Sequence, residues 1–217
     1  MKVKNVVICA AGLGSRLGLD MPKCMVKIGP YRIIYYLLKV LKDVPNIRMV
    51  VGFKEEEVIN YVRSIRKDVV FVRNSSYQST TNAYSLYLGS HDLTEPFMNI
   101  DGDMLISKEQ FQYFIDNIKE GEDLIGVTKS YTQDAVFVGL NENGQAERFS
   151  REKISDLEWT GVAYFANAKI RKEGKYIYQE LENYLPVRAL EIECFEIDTP
   201  EDMDYVTSRL DRIYGDD

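Results

Sequence analysis

The chain has 217 residues, 45% of them hydrophobic and 28% charged, with a formal net charge of −7 and a pI near 5.0. This is the composition of an ordinary globular protein long enough for one core, and its acidic balance excludes a general nucleic-acid binder, which needs a basic face, though not an anionic small molecule held in a local basic pocket. No apolar run is long enough to span a bilayer, Met1-Lys2-Val3 leads straight into a short strand rather than a signal peptide, and Cys9, Cys24 and Cys194 have neither zinc spacing nor an even count, as expected of a reducing, cytoplasmic setting.

The apolar run Val6-Val7-Ile8-Cys9 has the length and composition of a buried strand. It ends in Ala10-Ala11-Gly12-Leu13-Gly14-Ser15-Arg16 and is followed by Met21-Pro22-Lys23. Glycines at 12 and 14 let the backbone turn sharply or lie against a ligand, and a loop of this kind points successive N–H groups into one anion-binding concavity. Arg16 and Lys23 add two fixed positive charges, which suits a nucleotide triphosphate. Glycine-rich strand-to-helix turns also occur without a ligand. A dinucleotide fingerprint needs glycine or alanine at 17, where Leu17 stands, and the Gly-Lys-Ser/Thr of a P-loop is absent.

Apolar residues 33, 34, 37, 38 and 41 fall at helical spacing, predicting a helix over 31–42 that Pro45-Asn46 ends. Strands are predicted at 47–51 and 69–72, around an amphipathic helix at 55–66. This alternation describes a parallel sheet covered on both faces. A polar loop over 74–82, containing Ser79, leads into a helix at 83–88 that Thr80 or Thr81 would cap. The next strand ends in Asn99-Ile100-Asp101-Gly102-Asp103. Ligands of open α/β sheets collect at such strand ends, and carboxylates there suit a hard divalent cation such as Mg²⁺, although a simple acidic turn has the same look.

Ser107 with Gln110 reads as a capping box opening a helix over 107–119. Strands follow at 123–128 and 158–165, with a hairpin over 136–149 between them, so the sheet is expected to be mixed. A helix over 176–184 and a strand over 188–197 come next. Thr199-Pro200 starts the last helix, expected to run from 201 to about 214, and Asp198 either supports that cap or reaches the site. His91, the single histidine, lies among polar loop residues and reads as solvated. No repeat, linker or low-complexity tract appears, so residues 1–217 read as one domain.

Ala10 to Arg16 with Pro22-Lys23 resembles the signature of the nucleotidyltransferases that activate small phosphorylated molecules with an NTP, a family that includes sugar-phosphate nucleotidyltransferases and cytidylyltransferases. Asn82-Ala83-Tyr84-Ser85-Leu86-Tyr87 resembles the Asn-x-x-Ser-Leu-Tyr segment of its phosphocholine and 2-aminoethylphosphonate cytidylyltransferase branch. The resemblance implies a Rossmann-like, three-layer αβα fold with a mixed, mostly parallel central sheet (a GT-A-like nucleotidyltransferase fold). It implies CTP and a small phosphate or phosphonate acceptor as partners, Mg²⁺ as cofactor, and neither nucleic acid nor membrane insertion.

The resemblance also assigns residues. Ala10, Ala11, Gly12, Leu13, Gly14 and Ser15 would hold the nucleotide phosphates, with Ser79, Asn82, Ser85 and Asp101 on the rest of it. Arg16 and Lys23 would act on the leaving pyrophosphate and the α-phosphate, and Asp103 and Asp198 would ligate the metal. Lys27 could meet the acceptor phosphate, equally well being a surface lysine. Trp159, Tyr131, Tyr164 and Glu180 are candidates for an acceptor's amine, against the plainer reading of core aromatics and a solvated acid. Rival expectations are a sugar-1-phosphate nucleotidyltransferase, a guanylyl- or uridylyltransferase, and a nucleotide-binding module without turnover. The CDP-methylerythritol branch is disfavoured because its His-Asp-Ala-Ala-Arg-Pro run is replaced by residues 99–103. The sequence does not set the oligomeric state; a homodimer is one expectation.

Overall fold

The opening apolar run forms β1 (Asn5–Ala10), and its side chains alternate between two cores: Val6, Ile8 and Ala10 on one face, Val7 and Cys9 on the other. The computed structural model describes residues 2–14, 18–130 and 135–214. After β1 come a single 3-10 turn (Lys23–Met25), β2 (Lys27–Ile28), β3 (Tyr31–Arg32), α1 (Ile33–Val40), β4 (Asn46–Val51), α2 (Glu55–Ile65), β5 (Val70–Arg73), α3 (Asn82–Ser90), β6 (Phe97–Asp101), β7 (Met104–Ile106) and α4 (Lys108–Asp116). The second half supplies β8 (Leu124–Lys129), β9 (Phe137–Leu140), β10 (Gln145–Ser150), β11 (Leu157–Phe165), α5 (Ile177–Leu181), β12 (Val187–Glu191), β13 (Cys194–Glu196), α6 (Pro200–Thr207) and α7 (Leu210–Tyr214).

A nine-stranded sheet has the order β5-β4-β1-β6-β11-β8-β12-β10-β9. Within it, β10 and β11 run against the other strands, so the sheet is mixed and mostly of one sense. β9 also meets β11 at Phe137 and Glu158, which curls this side of the sheet. Helices α1, α2 and α4 cover one face through residues such as Leu37, Val58 and Phe114. Helices α3 and α5 cover the other through Ala83, Leu86 and Ile177. A third apolar cluster, with Ile28, Leu105, Ile197 and Val206, seats α6 against the β2–β3 hairpin and β7.

Two expected elements differ. Residues 31 and 32 pair with 28 and 27, so α1 starts only at Ile33. The strand expected over 188–197 is two strands in different sheets. β12 stays in the main sheet beside β8, whereas β13 pairs antiparallel with β7. Between them, Ile192 N–H donates to Val127 O (2.8 Å) and Glu193 N–H to Gln110 Oε1 (3.0 Å), which turns the chain out of the main sheet. The last helix is likewise broken after Thr207. Ser107 does cap α4, accepting from Gln110 N–H.

Helix α3 lies against β1 and β4 because residue 89 has no side chain: a Cβ there would stand 2.5 Å from Val7 Cγ1 and 2.9 Å from Val50 Cγ2. Gly89→Val is therefore expected to destabilise by about 2 kcal/mol or more, overpacking outweighing any helix-propensity gain. A lower urea midpoint with an unchanged slope checks this.

Candidate active site

The site gathers at the carboxyl ends of β1 and β6, where side chains and loop backbone leave the sheet together. Ala10 closes β1, and Ala11 O accepts from Phe53 N–H (3.2 Å), fixing the glycine loop on the turn after β4. Gly14 has φ +62°, and a Cβ there would lie 2.8 Å from Lys23 Cγ. Glycine is needed at 14 both for the left-handed backbone and for the lysine stem packed on it. Gly12 has open space around it and Leu13 is exposed, so this part of the loop faces outward. Ser15, Arg16 and Tyr131 lie outside the described residues.

Lys23 opens the 3-10 turn directly after Pro22. Its Nζ donates to Asp103 Oδ2 (3.0 Å), pairs closely with Asp198 Oδ1, and lies 3.8 Å from Glu196 Oε1. Lys23, Asp103 and Asp198 are each more than four-fifths buried, whereas Glu196 is about half exposed (48%). One oxygen each from Asp103, Glu196 and Asp198 falls within 4.8 Å of the others. The β7–β13 ladder makes the meeting: Glu196 is opposite Met104, next to Asp103, and Ile197 N–H reaches Asp103 O at 3.4 Å. Thr199 and Asp202 form the capping box of α6, so the Asp198 carboxylate is released from capping and turns to Lys23.

Glu196 was not among the residues that the sequence singled out. Period-two alternation of a strand places residues 196 and 198 on one side, and that was the available signal. Three carboxylates against one ammonium leave a formal charge of −2, and the donors are all oxygen. That set fits a hard divalent cation such as Mg²⁺. A fourth carboxyl, that of Asp101, lies close to these acids. Burial first, then the charges of Asp103 and Glu196, push its carboxyl well above the usual carboxylate range. Its Oδ1 has no hydrogen-bond partner among the described residues. Gly161, at φ +78°, lies against it: a Cβ there would stand 2.5 Å from Asp101 Oδ2. Asn99 Nδ2 donates to Gly161 O (2.7 Å) and locks this contact.

Asp101, Gly161 and Trp159 share the sheet face that α3 covers, and Asn82 begins α3 above them. Asn82 Oδ1 accepts from Ile177 N–H (3.4 Å), and Thr81 Oγ1 donates to Lys175 O. The segment 175–178 is thereby tied to the start of α3. Thr81 precedes the helix without a side-chain capping bond, its hydroxyl being used for this tie. Ser85 is buried and accepts from Asn74 Nδ2 (3.0 Å), and exposed Ser79 donates to Ser76 O (3.2 Å). Trp159 is half-buried, edge-on to Phe149 at 6.1 Å. Lys27 is exposed on β2, beside buried Val26 and Ile28.

Two expected acceptor contacts need correction. Glu180 is 2% exposed, and both its oxygens accept from Arg171 (Nε 2.8 Å, Nη2 3.0 Å). The guanidinium holds that carboxyl below the usual glutamate range. Its acid is thus committed within the fold. Tyr164 is buried and packs in the opposite core, near the far end of β11.

Residues 6–158 match the family model described as the MobA-like NTP transferase domain. The chain is 32% identical over 113 residues to a choline-phosphate cytidylyltransferase of Streptococcus pneumoniae (50% of this chain, 48% of that protein). It is 31% identical over 121 residues to a CTP:phosphoglutamine cytidylyltransferase of Campylobacter jejuni (54% of this chain, 47% of that protein). The chain thus spans about half the length of the curated relatives it matches. Among solved structures, the inositol-1-phosphate CTP transferase of T. maritima superposes with a TM-score of 0.80 at 19% identity, covering 97% of both chains, a likeness of fold.

If the carboxylate ring holds a divalent cation, millimolar Mg²⁺ or Mn²⁺ should raise the Tm by about 3 °C, as binding to the folded state alone requires. The shift should shrink in Asp103→Asn; thermal melts with and without metal check it. For Glu180 the outcome is one of stability. Glu180→Gln should cost about 1–3 kcal/mol at neutral pH. Because the folded-state pKa is depressed, the contribution is present above the unfolded value and lost as pH falls. The gap between the two proteins should therefore close from about pH 5 downward, read by denaturant melts across pH.

Proposed function

The chain belongs to the MobA-like NTP transferase family, and from that premise we propose that it is a CTP-dependent cytidylyltransferase, joining CMP to a small phosphate or phosphonate acceptor with release of pyrophosphate. One observation carries the reading: Lys23 and three carboxylates meet beside a bare glycine loop at the strand ends. Such a constellation answers the difficulty of bringing two anions together.

In this reading an acceptor oxygen attacks the α-phosphorus of CTP, a new P–O bond forms, and the bond to the β-phosphate breaks. The attacking oxygen is already anionic near neutral pH, so no general base is required. Lys23 places its charge on the α-phosphate, carried on a stem that Gly14 admits. Arg16 answers the charge of the leaving pyrophosphate. Mg²⁺, held by Asp103, Glu196 and Asp198, would neutralise phosphate charge and help align the reacting groups. Amides of residues 10–15 bind the phosphates, while Asn82, with Ser79 and Ser85 nearby on the same segment, borders the cytosine and ribose.

Two observations support CTP and a small acceptor: the segment Asn82 to Tyr87 and the two cytidylyltransferase relatives, whose named acceptors are small phosphorylated molecules. Phosphocholine and 2-aminoethylphosphonate set the size class. The short connection from Arg16 to Pro22 speaks for such an acceptor over a hexose 1-phosphate.

A pyrophosphate-release assay over the four NTPs, with phosphocholine, 2-aminoethylphosphonate and a hexose 1-phosphate as acceptors, tests this. Turnover is expected with CTP and a small acceptor. Lys23→Ala and Asp198→Asn should each lower kcat about 100-fold or more. Tight CTP binding without product under any acceptor, or variants with intact turnover, would overturn the assignment.

A further inference from the structure

The turn that follows β4 stands beside the glycine loop, because β4 is the parallel neighbour of β1. Its three residues hold that loop at both ends. At the near end, Phe53 N–H donates to Ala11 O (3.2 Å), and residue 52 is a glycine where a Cβ would stand 2.9 Å from the same oxygen. At the far end, Lys54 Nζ donates to Asp20 O (2.5 Å) and to Asp20 Oδ2 (2.8 Å), reaching 34 residues back along the chain. Asp20 stands three residues before Lys23. The segment that joins them lies against Gly14, where a Cβ would be 3.4 Å from Met21 O and 2.8 Å from Lys23 Cγ. Direct contacts therefore join the turn, the start of the loop and the lysine segment.

Lysine at 54 is not what the local backbone favours. The residue has φ +46° and ψ +41°, the left-handed region that glycine and asparagine enter most easily. It also occupies the N-cap of α2, where Ser, Thr, Asp or Asn would accept from the first amides, and its side chain makes no such bond. Strain of this kind persists where the surrounding structure requires it, and it gathers at functional sites. The requirement here lies at the far end of the side chain. The Lys54 side chain is 29% exposed and that of Asp20 86%, so the lysine is the anchored partner and the loop is the piece being held. The bond to the carbonyl fixes the Asp20 backbone as well as its carboxylate, and both bonds are charge-assisted. An exposed ion pair by itself contributes little to stability, so the consequence falls on where the loop sits rather than on how firmly the protein folds.

We propose that Lys54 is a positioning residue for the nucleotide: by holding Asp20, it keeps the glycine loop in its phosphate-binding shape before a nucleotide enters. This inference rests on the proposed binding of a nucleoside triphosphate at that loop. A loop released from Lys54 would have to be ordered at each binding event, and that cost falls on affinity. Lys23 keeps its own partners, Asp103 and Asp198, so turnover of the bound nucleotide changes little.

Calorimetry with the four NTPs and Mg²⁺, and pyrophosphate release with CTP and the small acceptors, test this on the wild-type protein and its variants. Lys54→Ala should weaken CTP binding about tenfold and raise KM for CTP by the same factor, with kcat within about twofold. Lys54→Arg should restore both to within about threefold. Lys54→Gly separates positioning from folding: it relieves the left-handed backbone, so its Tm should match or exceed that of the wild type while CTP binding stays weak. Asp20→Ala removes the carboxylate and leaves the carbonyl, so it should weaken binding less than Lys54→Ala and add nothing to it in the double variant. Lys4→Ala, which breaks the exposed pair with Glu95, should leave CTP binding as it is. Unchanged CTP affinity in Lys54→Ala, or a fall in kcat and Tm at unchanged affinity, would overturn the proposal, as would a wild-type protein that binds none of the four NTPs. NTP binding that depends on Lys54, without pyrophosphate release, would leave this proposal standing and sink the proposed reaction. Pyrophosphate release from CTP with Lys54→Ala indistinguishable from the wild type would do the reverse.

Discussion

The arrangement on which the site depends is one ammonium among several carboxylates. Lys23 cannot reach Asp103 and Asp198 unless Gly14 leaves room for its stem. The acids in turn cannot meet unless β13 leaves the main sheet and pairs with β7. Charges of like sign held this close are tolerated with a cation between them or with one of the acids protonated. In this structure Lys23 supplies one such charge, and the residual negative charge is what makes the cluster suitable for a divalent ion. Burial, and after it the neighbouring acids Asp103 and Glu196, hold the Asp101 carboxyl above the usual range.

Around this centre, structural and functional demands fall on the same residues without competing. Thr199 and Asp202 cap α6 between themselves, which leaves Asp198 to the site. Gly161 has no side chain, which lets the Asp101 carboxylate lie against β11. Thr81 and Asn82 use their polar groups to fasten the segment 175–178 to the start of α3. Glu180 and Arg171 show the converse case. Glu180, which the sequence offered for an acceptor's amine, is instead spent in a doubly bonded ion pair with Arg171 that holds the 171–180 connection together.

Much of the fold was legible because its signals are local. The apolar run of β1, helical spacing in α1 and α2, the Ser107 cap and the Thr199-Pro200 start all depend on neighbours within a few residues. The outcome was poorer where pairing partners are remote. The run 188–197 carries strand-like alternation of apolar and charged residues with no glycine or proline, so nothing in it marks the turn at Ile192 and Glu193. That turn is made by Val127 and Gln110, which lie far away in the chain. Glu196 escaped notice for the same reason, since its importance comes from lying opposite Met104.

The sequence by itself determined the alternating elements, the glycine loop with its lysine, and the presence of acids at two strand ends, because these follow from backbone sterics, side-chain periodicity and charge. Only the tertiary structure decided which acids meet, that Glu196 joins Asp103 and Asp198, that Glu180 is withdrawn into the fold, and that Lys54 reaches Asp20. Those outcomes depend on strand register and on contacts between residues remote in the chain, and an ion pair is set by distances of a few ångströms that no local pattern encodes.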